Sequence, residues 1–145
     1  MSGNTDPVYS RVGDVSTNGT TGMSQAITAA AADFTGAGAN NVLVWTADAT
    51  NGGFLQKLRL KAAGTNVVSV LRVFINNGSA NTTAANNSFY VEIPLPATTL
   101  NNAAMTGPDI DVPMNLALNP GFRIYAGLGQ AVAAGWFVTG VGGKY

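Results

Sequence analysis

The chain has 145 residues, with seven basic and seven acidic side chains, no histidine and no cysteine. That inventory excludes Ser–His–Asp or Cys–His catalysis, zinc held by His or Cys, and a disulfide framework. It also lacks the clustered cationic charge that displaces phosphate counterions, so no nucleic-acid partner is expected.

One domain is the natural count, and a chain this long buries roughly 70% of its unfolded surface without a covalent or metal staple. Only 10% of residues are charged and 46% are apolar. Weak self-repulsion of this kind suits either stable association with other subunits or an ordinary, weakly charged surface. No run approaches the about 20 apolar residues of a membrane span, so no membrane partner is expected. Met1 to Asp6 has neither a basic start nor an apolar core, and does not read as a secretory signal.

Residues 1–22 are rich in Gly, Ser, Thr and Asn, with isolated apolar residues at Val8, Tyr9, Val12 and Val15. No period is sustained, and the segment reads as an extended N-terminal arm that could order on a neighbour. Residues 23–145 form the folded domain. Ser24 to Phe34, with its alanine run, reads as a strand or one loose turn. Thr35 to Asn40 is a loop. Val42 to Trp45 is a short strand, and Asn51-Gly52-Gly53 turns the chain.

Phe54 to Ala62 alternates. Phe54, Leu58, Leu60 and Ala62 take the buried parity, and Lys57, Arg59 and Lys61 the wet one. The three cations make a stripe that is either a solvated face or a contact for an acidic surface. After a connection at 63–66, Val67 to Ile75 is almost entirely apolar, with Arg72 inside it. Such a run suits a strand covered on both sides, the second cover coming from this chain or from another subunit. Asn76-Asn77-Gly78 ends it, and a polar loop of about ten residues follows. Phe89 to Leu95 alternates, with Pro94 and Pro96 placing it at a sheet margin. A second long connection covers 97–108. Ile110 to Leu118 alternates around Pro113, which argues for an edge or a bulge. Asn119-Pro120-Gly121 is a turn. Phe122 to Leu128 and Ala131 to Val141 are the last strands.

Seven or eight strands without helical interruption predict an all-β fold: an antiparallel two-sheet β-sandwich. The long crossovers favour a jelly roll of about eight strands over an immunoglobulin-like sandwich. No internal repeat is present.

Little of the chain carries chemistry. Glu92 is the one glutamate, so the paired carboxylates of a glycosidase have a thin source. Asp109 and Asp111 share a parity; they are a start for a calcium site or simply a polar outer face. Gly127-x-Gly129 reads as ordinary turn glycine at a strand end. Asn-x-Ser/Thr triplets at Asn18, Asn77, Asn81 and Asn86 follow from composition. Trp136 and Phe137 must point to opposite faces of their strand. One fills the core; the other is an interface or sugar-platform candidate. Tyr145 is a further anchor candidate. No catalytic, metal or cofactor residue is expected, and the chain does not read as an enzyme.

Four stretches carry a resemblance: Leu58 to Asn66, Val70 to Gly78, Glu92 to Thr99, and Val132 to Tyr145. Together they resemble small virion proteins of tailed bacteriophages and prophages, over about residues 40–145. The resemblance implies a jelly-roll capsid accessory subunit of the decoration or cement type. It implies a homotrimer on the outer surface of the virion, contacting the major capsid protein, and synthesis in the bacterial host cytoplasm. A tail or baseplate position, or a carbohydrate-binding sandwich for host attachment, are the alternatives. On this reading Val8, Tyr9 and Val12 of the arm, Val68, Val70 and Phe74 of the apolar strand, Phe137 and Tyr145 are the expected subunit or capsid contacts.

Overall fold

A computed structural model describes residues 10–17, 26–31, 33–100 and 103–145. Its strands are β1 (Val12–Thr17), β2 (Val42–Thr46), β3 (Gly53–Ala62), β4 (Ser69–Asn76), β5 (Asn87–Leu95), β6 (Asp109–Leu118), β7 (Arg123–Leu128) and β8 (Trp136–Lys144). A single 3₁₀ turn at Ala84–Asn86 precedes β5. The strands form two antiparallel four-stranded sheets, in the orders β1-β8-β3-β6 and β2-β7-β4-β5. The pairs β1·β8, β2·β7, β3·β6 and β4·β5 are those of one long antiparallel ribbon. Alternate pairs of that ribbon fall in opposite sheets, which makes the sandwich a jelly roll.

The core lies between the sheets. Leu55, Leu58 and Leu60 of β3 and Trp136 and Val138 of β8 meet Val44 and Trp45 of β2, Leu71 and Val73 of β4, and Ile124 and Leu128 of β7. Each fully buried aliphatic or aromatic side chain stabilises the fold by about 1.5–3 kcal/mol relative to exposure. Trp136 is in the core and Phe137 is half-buried on the outer side, as strand alternation requires.

The strand assignments agree with the sequence pattern, and the differences have local causes. The parity expected for β3 fails at its start: Leu55, not Phe54, is fully buried. A bulge between Leu55 and Lys57 interrupts the pairing with both β6 and β8, and one extra residue reverses the inward face. Facing it on β6, Asn115 has a φ of 49°, a left-handed conformation that asparagine tolerates. Pro113 is thus on an edge strand and beside a bulge, and Pro94 is on the edge strand of the other sheet. The last strand starts at Trp136 and continues to Lys144, because Gly142 to Lys144 pair with β1 and β3.

Of the segment after the arm, residues 26–31 form neither a strand nor a turn. Ile27 bridges to Trp136 in one sheet and Ala30 bridges to Leu128 in the other. It therefore crosses the end of the sandwich and closes it. Within the arm, Val12–Thr17 lie on β8 as an edge strand of the same chain. Val8, Tyr9 and Asn18 lie outside the described residues.

Candidate functional site

The outer faces of the two sheets differ in chemistry. On the β1-β8-β3-β6 sheet, Lys57, Arg59 and Lys61 face Asp109 and Asp111 across the β3·β6 pair. Lys57 Nζ is 2.9 Å from Asp111 Oδ2, Arg59 Nη2 is 3.0 Å from Asp109 Oδ2, and Lys61 Nζ is 2.7 Å from Asp109 Oδ1. The acidic surface that the basic stripe could meet is the neighbouring strand. The two aspartates are likewise occupied, and no group of three or more metal-ligating side chains comes together among the described residues.

The Lys61 ammonium donates to Asp109, and with Arg59 nearby it outweighs desolvation and holds the carboxyl below the usual carboxylate range. A folded-state value below the unfolded one stabilises the protein above about pH 4, and that contribution is lost as pH falls through the folded value. Asp109→Asn is expected to flatten the acid limb of a urea-midpoint titration between pH 7 and 2. The effect should shrink in 1 M salt, because the pairs are exposed. An unchanged acid limb would show that the ladder adds nothing.

The outer face of the β2-β7-β4-β5 sheet is apolar. Its even positions on β4 are Val70, Arg72 and Phe74, and the segment around Phe34 lies over them. Burial pushes Asp33 up. Hydrogen bonds from the Asn41 amide, the Thr35 hydroxyl and the Thr35 and Gly36 N–H groups outweigh that and hold its carboxyl down. This network fixes the loop that presents Phe34. The Phe34 ring meets Phe89 edge-on at 5.7 Å, and Phe89 packs on Phe74 at 5.5 Å. The Arg72 guanidinium sits 4.2 Å from the Phe34 ring centre, and its Nε donates to Glu92 at 2.8 Å. That explains a cation inside an apolar run: it is paired on one side and stacked on the other.

Three expectations change here. Phe74 is 0% exposed, packed against Phe89 and approached closely by Gly36 of its own chain, so it has no surface left for a subunit contact. At that point the second cover of the apolar strand is this chain. Gly127 lies inside β7 and not in a turn; a Cβ there would run into Asn41 Oδ1 and sit 2.9 Å from the Ala31 Cβ. Glycine is what lets the covering segment approach. Trp136 is fully buried and cannot serve as a sugar platform.

The other described contact candidates keep surface. Val68 is 62% exposed just before β4, and Val70 is half-buried beside it. With Ser69, Arg72, Gly129 and Gln130 they line a shallow groove of about 310 Å³. Val12 is 62% exposed on the edge strand β1. Phe137 is half-buried opposite Lys61, and Tyr145 is half-buried with its N–H donating to Gly52 O at 3.3 Å. Reasoning from the sequence missed Phe34 and Phe89 as surface aromatics, with Phe34 61% exposed. Phe34 ends an irregular alanine-rich stretch, and no periodicity there marks which way it points.

The fold and these faces define an all-β jelly-roll protein with one charge-paired and one aromatic outer surface. No family model, no curated protein and no solved structure matches the chain.

Proposed function

We propose that this chain is a structural subunit of a tailed-bacteriophage particle, a decoration or cement protein. In this reading it sits on the outer surface of the head shell as a homotrimer and holds major capsid subunits together. The observation that carries the reading is the outer face of the β2-β7-β4-β5 sheet. There, exposed Phe89 on β5 packs edge-on against exposed Phe34, which Arg72 of β4 stacks on, and exposed Val68 lies just before β4. Preorganised aromatic groups on a scaffold lose little entropy on docking, which suits a permanent contact. The resemblance of residues 40–145 to virion proteins, and the use of jelly rolls in viral shells, agree with it.

The test adds purified protein to heads of the phage or prophage that carries the gene. Co-sedimentation with the heads, and immunogold label over the head, are the expected results. Label over the tail alone, or no binding to either at micromolar protein, overturns the proposal. Deleting residues 2–9 leaves β1 in place and is expected to weaken head binding at least tenfold while the urea midpoint stays unchanged.

A further inference from the structure

We infer that β1 is an exchanged strand: residues 10–17 of one copy of this chain pair with the β8 edge of a second copy. The register carries the inference. β1 runs antiparallel to β8, with Val12 opposite Lys144 and Thr17 opposite Thr139. Continued in step, that register would set Thr20 opposite Trp136. Ile27 takes that place instead, with backbone hydrogen bonds to Trp136 of 2.9 and 3.0 Å in the two directions. On its other side Trp136 pairs with Ala62 of β3, so Ile27 and β1 share one edge of β8. The chain thus carries seven residues more than pairing along one edge requires. Thr139 and Trp136 are about 10 Å apart along β8, whereas the ten steps from Thr17 to Ile27 reach about 33 Å. That reach is roughly the width of a small domain, enough to cross to a β8 edge on an adjoining copy.

β1 can also leave its own sheet at small cost. The other three edge strands insert core side chains: Val44 and Trp45 from β2, Ile93 and Leu95 from β5, Met114 and Leu118 from β6. In β1, by contrast, Val12, Gly13 and Val15 are exposed and Asp14 is half-buried. Gly13, Asp14 and Ser16 lie opposite Gly143, Gly142 and Gly140, which offer no side chain to pair with. What holds the strand is its main-chain ladder, the Arg11 N–H to Lys144 O bond at 2.7 Å and the Lys144–Asp14 ion pair at 3.6 Å. All of these form equally well between copies. The β8 edge is shaped for such a strand, whichever chain supplies it: a Cβ on Gly143 would run into Ser10. Left bare, that edge would be an open template for pairing, so each copy needs a strand on it. Donor and acceptor are different surfaces. A head-to-tail exchange of this kind closes a ring, and three copies make the homotrimer proposed above, each giving β1 to the next. The stoichiometry rests on that proposal; the exchange itself rests on the register.

The chain has no cysteine, so a pair can be placed across the ladder. Val15 and Val141 are register partners. Oxidised Val15→Cys/Val141→Cys protein should run on a non-reducing denaturing gel as covalent multimers, at least tenfold above the internally bridged monomer. Deleting residues 18–24 removes the surplus and sets Ile27 opposite Trp136 in step with β1. That variant should sediment as a monomer with an unchanged urea midpoint, where the full chain sediments as a trimer at micromolar concentration. A disulfide confined to single chains overturns the inference. So does a full chain that is monomeric at that concentration, or an oligomer that survives the deletion. A single-chain disulfide in protein that still binds heads would defeat the exchange and leave the proposed function standing; a disulfide between chains in protein blind to heads would do the reverse.

Discussion

Asn66→Ala is expected to lower the unfolding free energy by about 3 kcal/mol. Asn66 is buried in the connection between β3 and β4. Its Nδ2 donates to Gly135 O at 2.9 Å and to Gly64 O at 3.3 Å, and its Oδ1 accepts from Ala134 N at 3.0 Å and Gly135 N at 2.8 Å. Its backbone exchanges hydrogen bonds with Thr98 in both directions. The amide therefore ties its own connection to the one before β8, while the backbone of the same residue ties in a third at Thr98. Truncation leaves the Gly135 N–H buried without a partner, at a cost of about 1–3 kcal/mol, and takes one of two donors from the Gly135 carbonyl, which keeps the Ala63 N–H at 2.9 Å. The midpoint temperature should fall by roughly 10 °C. Thr98 Oγ1, which donates to Gly64 O at 2.7 Å, belongs to the same cluster. Thr98→Ala should cost about 1 kcal/mol alone, and the two losses should not add, since neighbours in one network couple. A loss below 1 kcal/mol for Asn66→Ala, measured by reversible urea unfolding, would mean that water replaces the amide without penalty.

Phe74→Ala is expected to destabilise the isolated chain by about 3–5 kcal/mol. The ring is fully buried, outside the inter-sheet core, against Phe89 and Gly36. Gly36 approaches it so closely that a Cβ there would lie 2.9 Å from the ring, and Gly36 also has a φ of 73°. Gly36→Ala should therefore destabilise too, through strain as well as contact. The comparison with Phe34→Ser separates two roles for neighbouring aromatics. Loss of the exposed ring should leave the urea midpoint of the chain within about 1 kcal/mol of the parent, while loss of the buried one should not. Were Phe74 a subunit contact, its removal would spare the monomer and abolish assembly; equal midpoints for Phe74→Ala and the parent would restore that view.

Much of the architecture was legible in the residues. Alternation in β3, β5 and β6, with turn residues between the strands, states an antiparallel sandwich, and Pro94 and Pro113 mark edge strands correctly. The sites were less legible. Val68 and Val70 belong to the outer face of an apolar strand and keep surface, but Phe74, on the same parity, does not. The difference is Gly36, a residue 38 positions earlier whose loop folds back over Phe74. Periodicity reports which side of a strand a residue faces, and says nothing of what later lies over that side. The same limit explains the β3 error. A bulge is one added residue, invisible in composition, yet it puts Leu55 where Phe54 was expected.

Composition and alternation alone determined an all-β fold with no net charge and no histidine or cysteine chemistry, because those properties are local or additive along the chain. Only the folded structure decided that Lys57, Arg59 and Lys61 are answered by Asp109 and Asp111 of the next strand. It also decided that residues 12–17 complete a sheet, and that Phe34 stands out of an aromatic face. Each of these depends on pairing between residues tens of positions apart, and a contact of that kind is set by the roll of the two sheets.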